Sequence, residues 1–308
     1  MKPNNLTTSG GREHGLFFRI RKHRSSYLLM APYMILFLIF TVIPVLASIG
    51  ISFTSFDMLS VPKPVGLMNY ERMLLDDPIF FKVLKNTLIF AFLTGPLSYV
   101  LSFIFAWLIN ETGRVLRTIL TLVFYMPVLA GNIYFVWSFL FSSDRFGVIN
   151  GVLLSLGVID EPMGWLIDQN LVMWVLIIVQ LWMSLGTGFL SFVAGFQSMN
   201  KSLFEAGAMD GIKNRWQELW YITLPAMKPQ LMFGAVMQIT QSFAIADISI
   251  QLAGNPSVNY AGHTIMTHLH DFGNLRYEMG YACTIAVFLF LLMLFCNILV
   301  QKVLRKIG

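Results

Sequence analysis

Apolar residues in this chain form long, nearly unbroken runs that alternate with shorter polar segments. About 20 consecutive apolar residues cross roughly 30 Å of hydrocarbon as an α-helix. The runs lack the two-residue alternation of a membrane β-strand. The pattern therefore predicts an all-α polytopic membrane protein with six transmembrane helices. The predicted spans are 27–53, 87–110, 119–141, 171–196, 231–250 and 279–300.

Composition agrees with that prediction. Hydrophobic residues make up 56% of the 308 positions and charged residues only 12%, whereas a soluble domain carries about 25% charged residues. The net charge of +5 is explained by lysines and arginines on one side of the membrane, in contact with anionic lipid, and not by nucleic-acid binding. The two cysteines, Cys283 and Cys296, both fall in the sixth span and are interpreted as packing residues.

The distribution of Lys and Arg predicts the orientation. Of 21 such residues, 15 fall before the first span, after the last span, and in the second and fourth connections, and six fall in the other connections. Because the basic side is cytoplasmic, both termini are predicted to be cytoplasmic. The predicted organisation is a basic cytoplasmic segment 1–26, a transmembrane domain 27–301 that includes a cytoplasmic loop 201–228, and a cytoplasmic tail 302–308.

The loop 201–228 has the pattern of two short helices. Its apolar residues recur at helical spacing on both sides of Gly211: Leu203, Phe204, Ala208, Met209, Trp216, Leu219, Trp220 and Ile222. Glycine adopts a left-handed backbone at little cost, so the two helices are predicted to join at Gly211. Asn200 or Ser202 is expected to cap the first helix, and Pro225 marks the exit toward the fifth span. Periodicity alone leaves open whether this pair is a plain interfacial connector or a surface for a partner.

Residues 205–229 read EAGAMDGIKNRWQELWYITLPAMKP and resemble the characteristic cytoplasmic loop of ABC-importer permeases. The positions that match are Glu205, Ala206, Asp210, Gly211, Leu224 and Pro225. There are two departures: position 207 is Gly where the pattern has Ala, and the stretch from Gly211 to Ile222 is one residue longer. Weaker matches to the carbohydrate branch, which includes maltose and glycerol-3-phosphate permeases, run in order through 27–301: Pro44, Ser52, Phe53, Gly66, Leu67, Asn69, Tyr70, Asn86, Thr87 and Trp182.

The resemblance implies a fold, partners and a function. It implies the type I ABC-importer permease fold in a bacterial cell membrane, with loop 201–228 gripped by an ATPase. It implies a second permease subunit, by analogy in a heterodimer, two ATPase subunits and an extracellular solute-binding protein. The chain itself contains no G-x-x-x-x-G-K-[ST] phosphate-binding sequence. ATP and Mg are therefore expected on the ATPases, with no cofactor, metal or catalytic residue in this chain, and the implied solute is a carbohydrate, an oligosaccharide.

Polar residues near the middle of the predicted spans are candidates for a solute pathway, because such groups are costly when they face lipid. Gln180, Ser184 and Thr187 share one helical face of the fourth span at i, i+4 and i+7. The predicted pathway residues are Asn132, Ser184, Thr187, Gln238, Gln241 and Ser242. Hydrogen bonding between helices is the alternative role for each of them.

Neutral amide and hydroxyl groups suit a sugar, and no Lys or Arg lies within the spans to neutralise an anionic solute. Asp247 is the exception. Its carboxylate is open to three interpretations: a site for a cationic solute, a gate, or a pair with the partner subunit.

Three other functions are considered. An ABC importer for a non-sugar solute fits the loop equally well. A secondary transporter or channel would be expected to show inverted repeats and buried ion-coordinating charges. A membrane enzyme would need a catalytic motif such as H-E-x-x-H. The sequence shows no clear repeat, no such set of charges and no such motif. His268 and His270 are two positions apart and so face opposite sides of a helix, which disfavours a metal site and favours a polar external loop near the solute-binding protein or a gate.

Overall fold

The computed structural model describes residues 24–130 and 133–307, and over these residues it contains helices and no named strand. The predicted N-terminal segment 1–26 lies mostly outside the described residues, and Asn132 lies outside them entirely. The helices are α1 Arg24–Ile51, α2 Met68–Glu71, α3 Phe80–Asn110, α4 Arg114–Leu129, α5 Ile133–Leu140, α6 Val148–Ser155, α7 Val172–Met183, α8 Thr187–Ser198, α9 Lys201–Met209, α10 Arg215–Glu218, α11 Leu224–Ala226, α12 Lys228–Phe243, α13 Asp247–Ala253, α14 Ile265–His270 and α15 Met279–Ile307. Single π-helical turns extend α2 (Arg72–Asp76), α10 (Leu219–Thr223) and α14 (Asp271–Leu275), and a short 3₁₀ turn covers Val258–Tyr260.

The chain forms two compact units, Met1–Gly50 and Ile51–Gly308. The described part of the first unit belongs to α1, an apolar helix with a π-helical segment at Leu38–Val42. The second unit holds all the other helices.

Within the described residues, five helical segments are long and apolar enough to cross a membrane, and the pair α4 and α5 makes a sixth if it is one span. This agrees with the prediction of a polytopic helical protein. The third predicted span, 119–141, is nevertheless not one helix, because α4 and α5 are inclined to each other by 87°.

Two further predicted spans are also interrupted. The fourth, 171–196, breaks between α7 and α8, where Gly186 has φ −101° and ψ −140°. The fifth, 231–250, breaks between α12 and α13, where Ala244 has φ −85° and ψ 35°. Both conformations lie outside the helical region, so the backbone leaves its helix at these residues. The i, i+4, i+7 face predicted for the fourth span therefore does not exist as a continuous stripe.

Helices α3, α8 and α12 pack closely at the centre of the second unit. Aromatic residues of α8, among them Phe189, Phe192 and Phe196, form a buried cluster with Ala106 at the end of α3. A Cβ atom at Gly234 of α12 would lie 2.4 Å from the Phe192 ring. The absence of a side chain at Gly234 thus lets α12 approach α8, as small residues do in membrane bundles.

Candidate functional site

The loop between α8 and α12 consists of two short capped helices. The Asn200 side chain accepts a hydrogen bond from the backbone N–H of Ser202 at 3.1 Å, which caps α9. Gly211 then turns the chain with φ +93°. The Asn214 side chain accepts from the backbone N–H of Gln217 at 2.9 Å and caps α10. The predicted pair of helices joined at Gly211 is confirmed, and Asn200 is the capping residue.

Gly207 accounts for one of the two departures from the permease pattern. A Cβ atom at this buried position would lie 2.5 Å from Cδ1 of Ile222 and 3.1 Å from Cδ1 of Ile212. The glycine therefore gives both isoleucines room against α9. An alanine here would require the tip of Ile222 to move.

The loop is attached to the end of α3 by charged and aromatic contacts. Nη2 of Arg215 lies 3.0 Å from Oε2 of Glu111, just after α3, while its Nη1 lies 2.8 Å from Oε2 of Glu218. The rings of Trp107 and Trp216 meet edge to face, with centroids 5.3 Å apart. Two kinds of contact therefore join α10 to the end of α3.

Most residues that match the permease pattern lie on the surface of this loop. Glu205, Ala206, Asp210 and Gly211 are exposed in α9 and the turn, Pro225 is exposed in α11, and Leu224 is half-buried. Several apolar residues of the periodic pattern are exposed as well, among them Met209, Trp216 and Trp220, and so is the adjacent Tyr221. The periodicity predicts the two helices, but it does not predict how far these side chains are exposed.

The predicted pathway residues separate into two groups. Gln238 is buried, and its Nε2 donates to Oγ of Ser102 and to the carbonyl oxygen of Ser184, both at 3.1 Å. The hydroxyls of Ser184 and Ser242 are bonded to carbonyl oxygens within their own helical segments. Gln238 therefore hydrogen-bonds from α12 to α3 and to the end of α7, and together with Ser242 it also lines a separate, mainly apolar cavity of about 290 Å³. Ser102 is not among the predicted residues, although a hydroxyl group in a long apolar helix indicates a hydrogen-bond partner on a neighbouring helix.

Gln241, in contrast, lines an open cavity of about 250 Å³. Its polar lining residues are Gln241, Gln180, Tyr134 and Asp247. Among the predicted pathway residues that the structure describes, Gln241 is the one that lines it. Thr187 is exposed but is not among the lining residues. The cavity thus brings together residues from α5, α7, α12 and α13.

Comparison with known proteins assigns the family. Residues 98–308 match the family described as "Binding-protein-dependent transport system inner membrane component". This chain belongs to that family. The permease is thus a membrane component of a transport system and not its catalytic subunit.

Relatives of the permease cover nearly all of its length. It is 32% identical to the probable ABC transporter permease protein YesP of Bacillus subtilis (strain 168), over 87% of this chain and 86% of that protein. It is 28% identical to the arabinooligosaccharides transport system permease protein AraP of Bacillus subtilis (strain 168), over 97% and 93%. It is also 28% identical to the trehalose/maltose transport system permease protein MalF of Thermococcus litoralis, over 97% of each chain.

Solved structures share the fold of the permease. The crystal structure of a bacterial ABC transporter involved in the import of the acidic polysaccharide alginate matches with a TM-score of 0.71 and 23% identity, covering 95% of this chain and 99% of that chain. A second alginate transporter structure, in complex with an alginate pentasaccharide-bound periplasmic protein, matches with a TM-score of 0.73 and 22% identity over 95% and 98%. The type I ABC-importer permease fold is therefore shown.

A buried polar network of the permease joins the segment before α3 to α14 and α15. Oδ2 of Asp77 accepts a hydrogen bond from the Tyr281 hydroxyl at 2.6 Å and lies 2.8 Å from Nε2 of His268. Oδ1 accepts from the backbone N–H groups of Ile79 and Phe80 at 3.1 and 3.2 Å. Burial raises the pKa of Asp77, but the bonds from His268 and Tyr281 outweigh this effect and lower that pKa to about 2.

The same network corrects the interpretation of His268. Its side chain is fully buried against Asp77 and does not lie in an exposed external loop. Among the described residues, no group of three or more His, Cys, Asp or Glu side chains is arranged to hold a metal ion. His268 is therefore a packing and hydrogen-bonding residue in this fold.

Proposed function

We propose that this permease is the translocation-pathway subunit of an ATP-driven importer that takes up an oligosaccharide from an extracellular solute-binding protein. Several relatives carry names of oligosaccharide or disaccharide transport systems, which supports a carbohydrate. In this proposal, 27–301 is the transmembrane domain, while 1–26, the loop 201–228 and 302–308 face the cytoplasm. The proposed partners are a second, different permease and two ATPase subunits, which bind the ATP and Mg.

The observation that carries the proposal is the surface of the loop. Met209, Trp220 and Tyr221 are 89%, 64% and 72% exposed in a segment that also carries exposed charged residues such as Glu205 and Asp210. Large exposed apolar side chains in one place are typical of a protein contact surface. The bond from Arg215 to Glu111 connects that surface to α3, so a subunit that binds the loop also moves a membrane-spanning helix.

The test compares two surfaces of the same chain. Glu205→Ala and Trp220→Asp are expected to abolish co-purification of the ATPase and ATP-dependent uptake without reducing the amount of permease in the membrane. The matched control is Phe146→Asp, at an 88% exposed residue between α5 and α6, which should keep the ATPase bound. Full uptake by both loop variants contradicts the coupling role. Uptake by the permease alone, without any ATPase, supports a secondary transporter instead.

The proposed orientation has its own test. Single cysteines at Ser202 and Leu59, both exposed, are introduced after Cys283 and Cys296 are replaced by alanine. A membrane-impermeant maleimide added to intact cells is expected to label position 59 only, and to label position 202 only after the membrane is opened. The reverse pattern contradicts cytoplasmic placement of the loop.

A further inference from the structure

The cavity that contains Gln241 lies where two membrane-spanning segments lose their helical backbone. Met183, the last residue of α7, contributes to its wall, and so do Ala244, Ile245 and Ala246, which separate α12 from α13. Backbone N–H and C=O groups outside a helix are tolerated at membrane depth only where they are covered by protein or line a cavity that holds water or solute. The two breaks therefore favour a cavity that holds water or solute over a gap in lipid-facing packing.

The side chains of the cavity supply neutral hydrogen-bonding groups around one carboxylate. Gln180 and Gln241 each offer both donors and an acceptor, and Tyr134 offers a hydroxyl. Gly186 keeps space for the Gln241 amide, since a Cβ atom there would lie 3.2 Å from its Nε2. Sugar hydroxyls are matched by such groups.

Asp247 gives the cavity its charge. It is the ionisable carboxylate among the described lining residues, none of which is Lys, Arg or His. Within the described residues it forms no ion pair, and its side chain is exposed. A carboxylate accepts hydrogen bonds from sugar hydroxyls or an ammonium group and repels another carboxylate.

We propose that Asp247 determines the charge specificity of the pathway, admitting neutral and amino sugars and rejecting sugars that carry carboxylate groups. This rests on the proposed function. The same fold serves a transporter of an acidic polysaccharide, so the fold leaves the charge of the solute open and the side chains of the cavity decide it. Like charges about 5 Å apart at an effective dielectric constant of about 20 disfavour binding by a factor on the order of 10².

The experiment uses the complete importer, with second permease, ATPases and solute-binding protein, reconstituted in vesicles. The probes are neutral pentasaccharides of glucose, galactose or arabinose, and the hexose chains oxidised at C6 to the corresponding uronic acids. Each hexose chain and its oxidised form share length and linkage and differ in charge. Binding of each probe is measured on the permease–ATPase complex without the binding protein, because that protein makes its own selection, and uptake is then measured with it.

Wild type is expected to bind a neutral pentasaccharide at least tenfold more tightly than its oxidised counterpart. Asp247→Asn is expected to reduce that ratio at least tenfold, and Asp247→Lys to invert it. Asp160→Asn, which removes an exposed carboxylate outside the cavity, should leave the ratio unchanged. An unchanged ratio in both Asp247 variants, or a wild type that prefers uronates, overturns the inference.

Purification of the complex distinguishes charge specificity from subunit pairing. If Asp247→Asn loses the second permease on purification, the carboxylate pairs with that subunit, and its role in charge specificity is wrong. If the assembled importer transports no saccharide of any charge, the proposed function fails and the inference fails with it. A change in the neutral-to-uronate ratio in a fully assembled complex is the result that supports both.

Discussion

Replacement of Asp77 by alanine is expected to be among the most destabilising single changes in this permease. The Asp77 side chain is 6% exposed and that of His268 is 0% exposed, and Tyr281 is also buried. Alanine removes both carboxylate oxygens, each of which is bonded to two partners. The loss therefore falls on three elements: the start of α3, α14 and α15.

The magnitude follows from what is left unpaired. The Tyr281 hydroxyl and Nε2 of His268 lose their partner inside the protein, and an unsatisfied buried polar group costs about 1–3 kcal/mol. Loss of the acceptor for the N–H groups of Ile79 and Phe80 removes a helix cap worth about 1 kcal/mol. The free energy of unfolding is therefore expected to fall by about 3–7 kcal/mol. Asp77→Asn should cost less, because an amide keeps one acceptor and His268 can change tautomer.

The assay is thermal unfolding of the purified permease in detergent, followed by size-exclusion chromatography with fluorescence detection. Asp76→Ala is the matched control, because Asp76 is the exposed neighbour of Asp77 and exposed substitutions usually change stability by about 0.5 kcal/mol or less. If the free energy of unfolding of Asp77→Ala lies within about 0.5 kcal/mol of that of the control, the network does not stabilise the fold and the reasoning is refuted.

The pH dependence of the Asp77 effect can also be predicted. The pKa of Asp77 falls from its ordinary 3.8 to about 2 in the folded protein, so the folded state favours the ionised carboxylate. The stabilisation from its charge is fully present above about pH 4 and is lost as the pH falls from about 4 to 2. Between about pH 5 and 8, the charge of Asp77 should make no pH-dependent contribution to the difference between wild type and Asp77→Asn.

Three further predictions concern other contacts. Arg215→Glu and Glu111→Arg are each expected to lower uptake per ATP hydrolysed by about twofold to fivefold, the range for an exposed pair worth ~0.5–1 kcal/mol. The variant that carries both exchanges should regain uptake. If it does not, the pair does not transmit movement. Burial, together with the charge of a neighbouring histidine, lowers the pKa of His263 from 6.5 to about 4. The protein should therefore lose stability as the pH falls from about 6.5 toward 4. In His263→Phe, the melting temperature should depend less on pH across that range. Gly280→Ala places a Cβ atom 2.0 Å from the backbone oxygen of Thr54 and should cost about 1–3 kcal/mol or more; a melting temperature equal to that of wild type would contradict the close packing.

Within the described residues, the positions of five of the six predicted spans follow from hydrophobic length alone, but the interruptions of the spans do not. An apolar run satisfies the hydrocarbon equally well as one helix or as two pieces of helix around a short break. Gly186 is compatible with both, since membrane helices often contain glycine. The break at Ala244 carries no local signal, because alanine is a strong helix former.

Contacts between segments that are distant in sequence could not be predicted from local sequence patterns either. Asp77 and His268 are 191 positions apart, and each lies in a polar segment that is predicted to be external. Charged residues in such segments are mostly exposed, so the prediction followed the common case. Gly211, in contrast, acts within its own turn, and its role was predictable because φ near +93° favours glycine whatever the surroundings.

Gln238 and Gln241 of α12 show why pathway residues are harder to predict than coupling residues. Gln238 and Gln241 are three positions apart, so their side chains project only about 60° from each other around the helix axis. Gln238 nevertheless meets Ser102 and is buried, whereas Gln241 lines the cavity next to Asp247. The difference comes from α3, which covers one side of α12, and from the break after α12, which opens the other. A polar stripe therefore locates a helix face that avoids lipid, and the neighbouring backbone decides which of its residues can meet a solute.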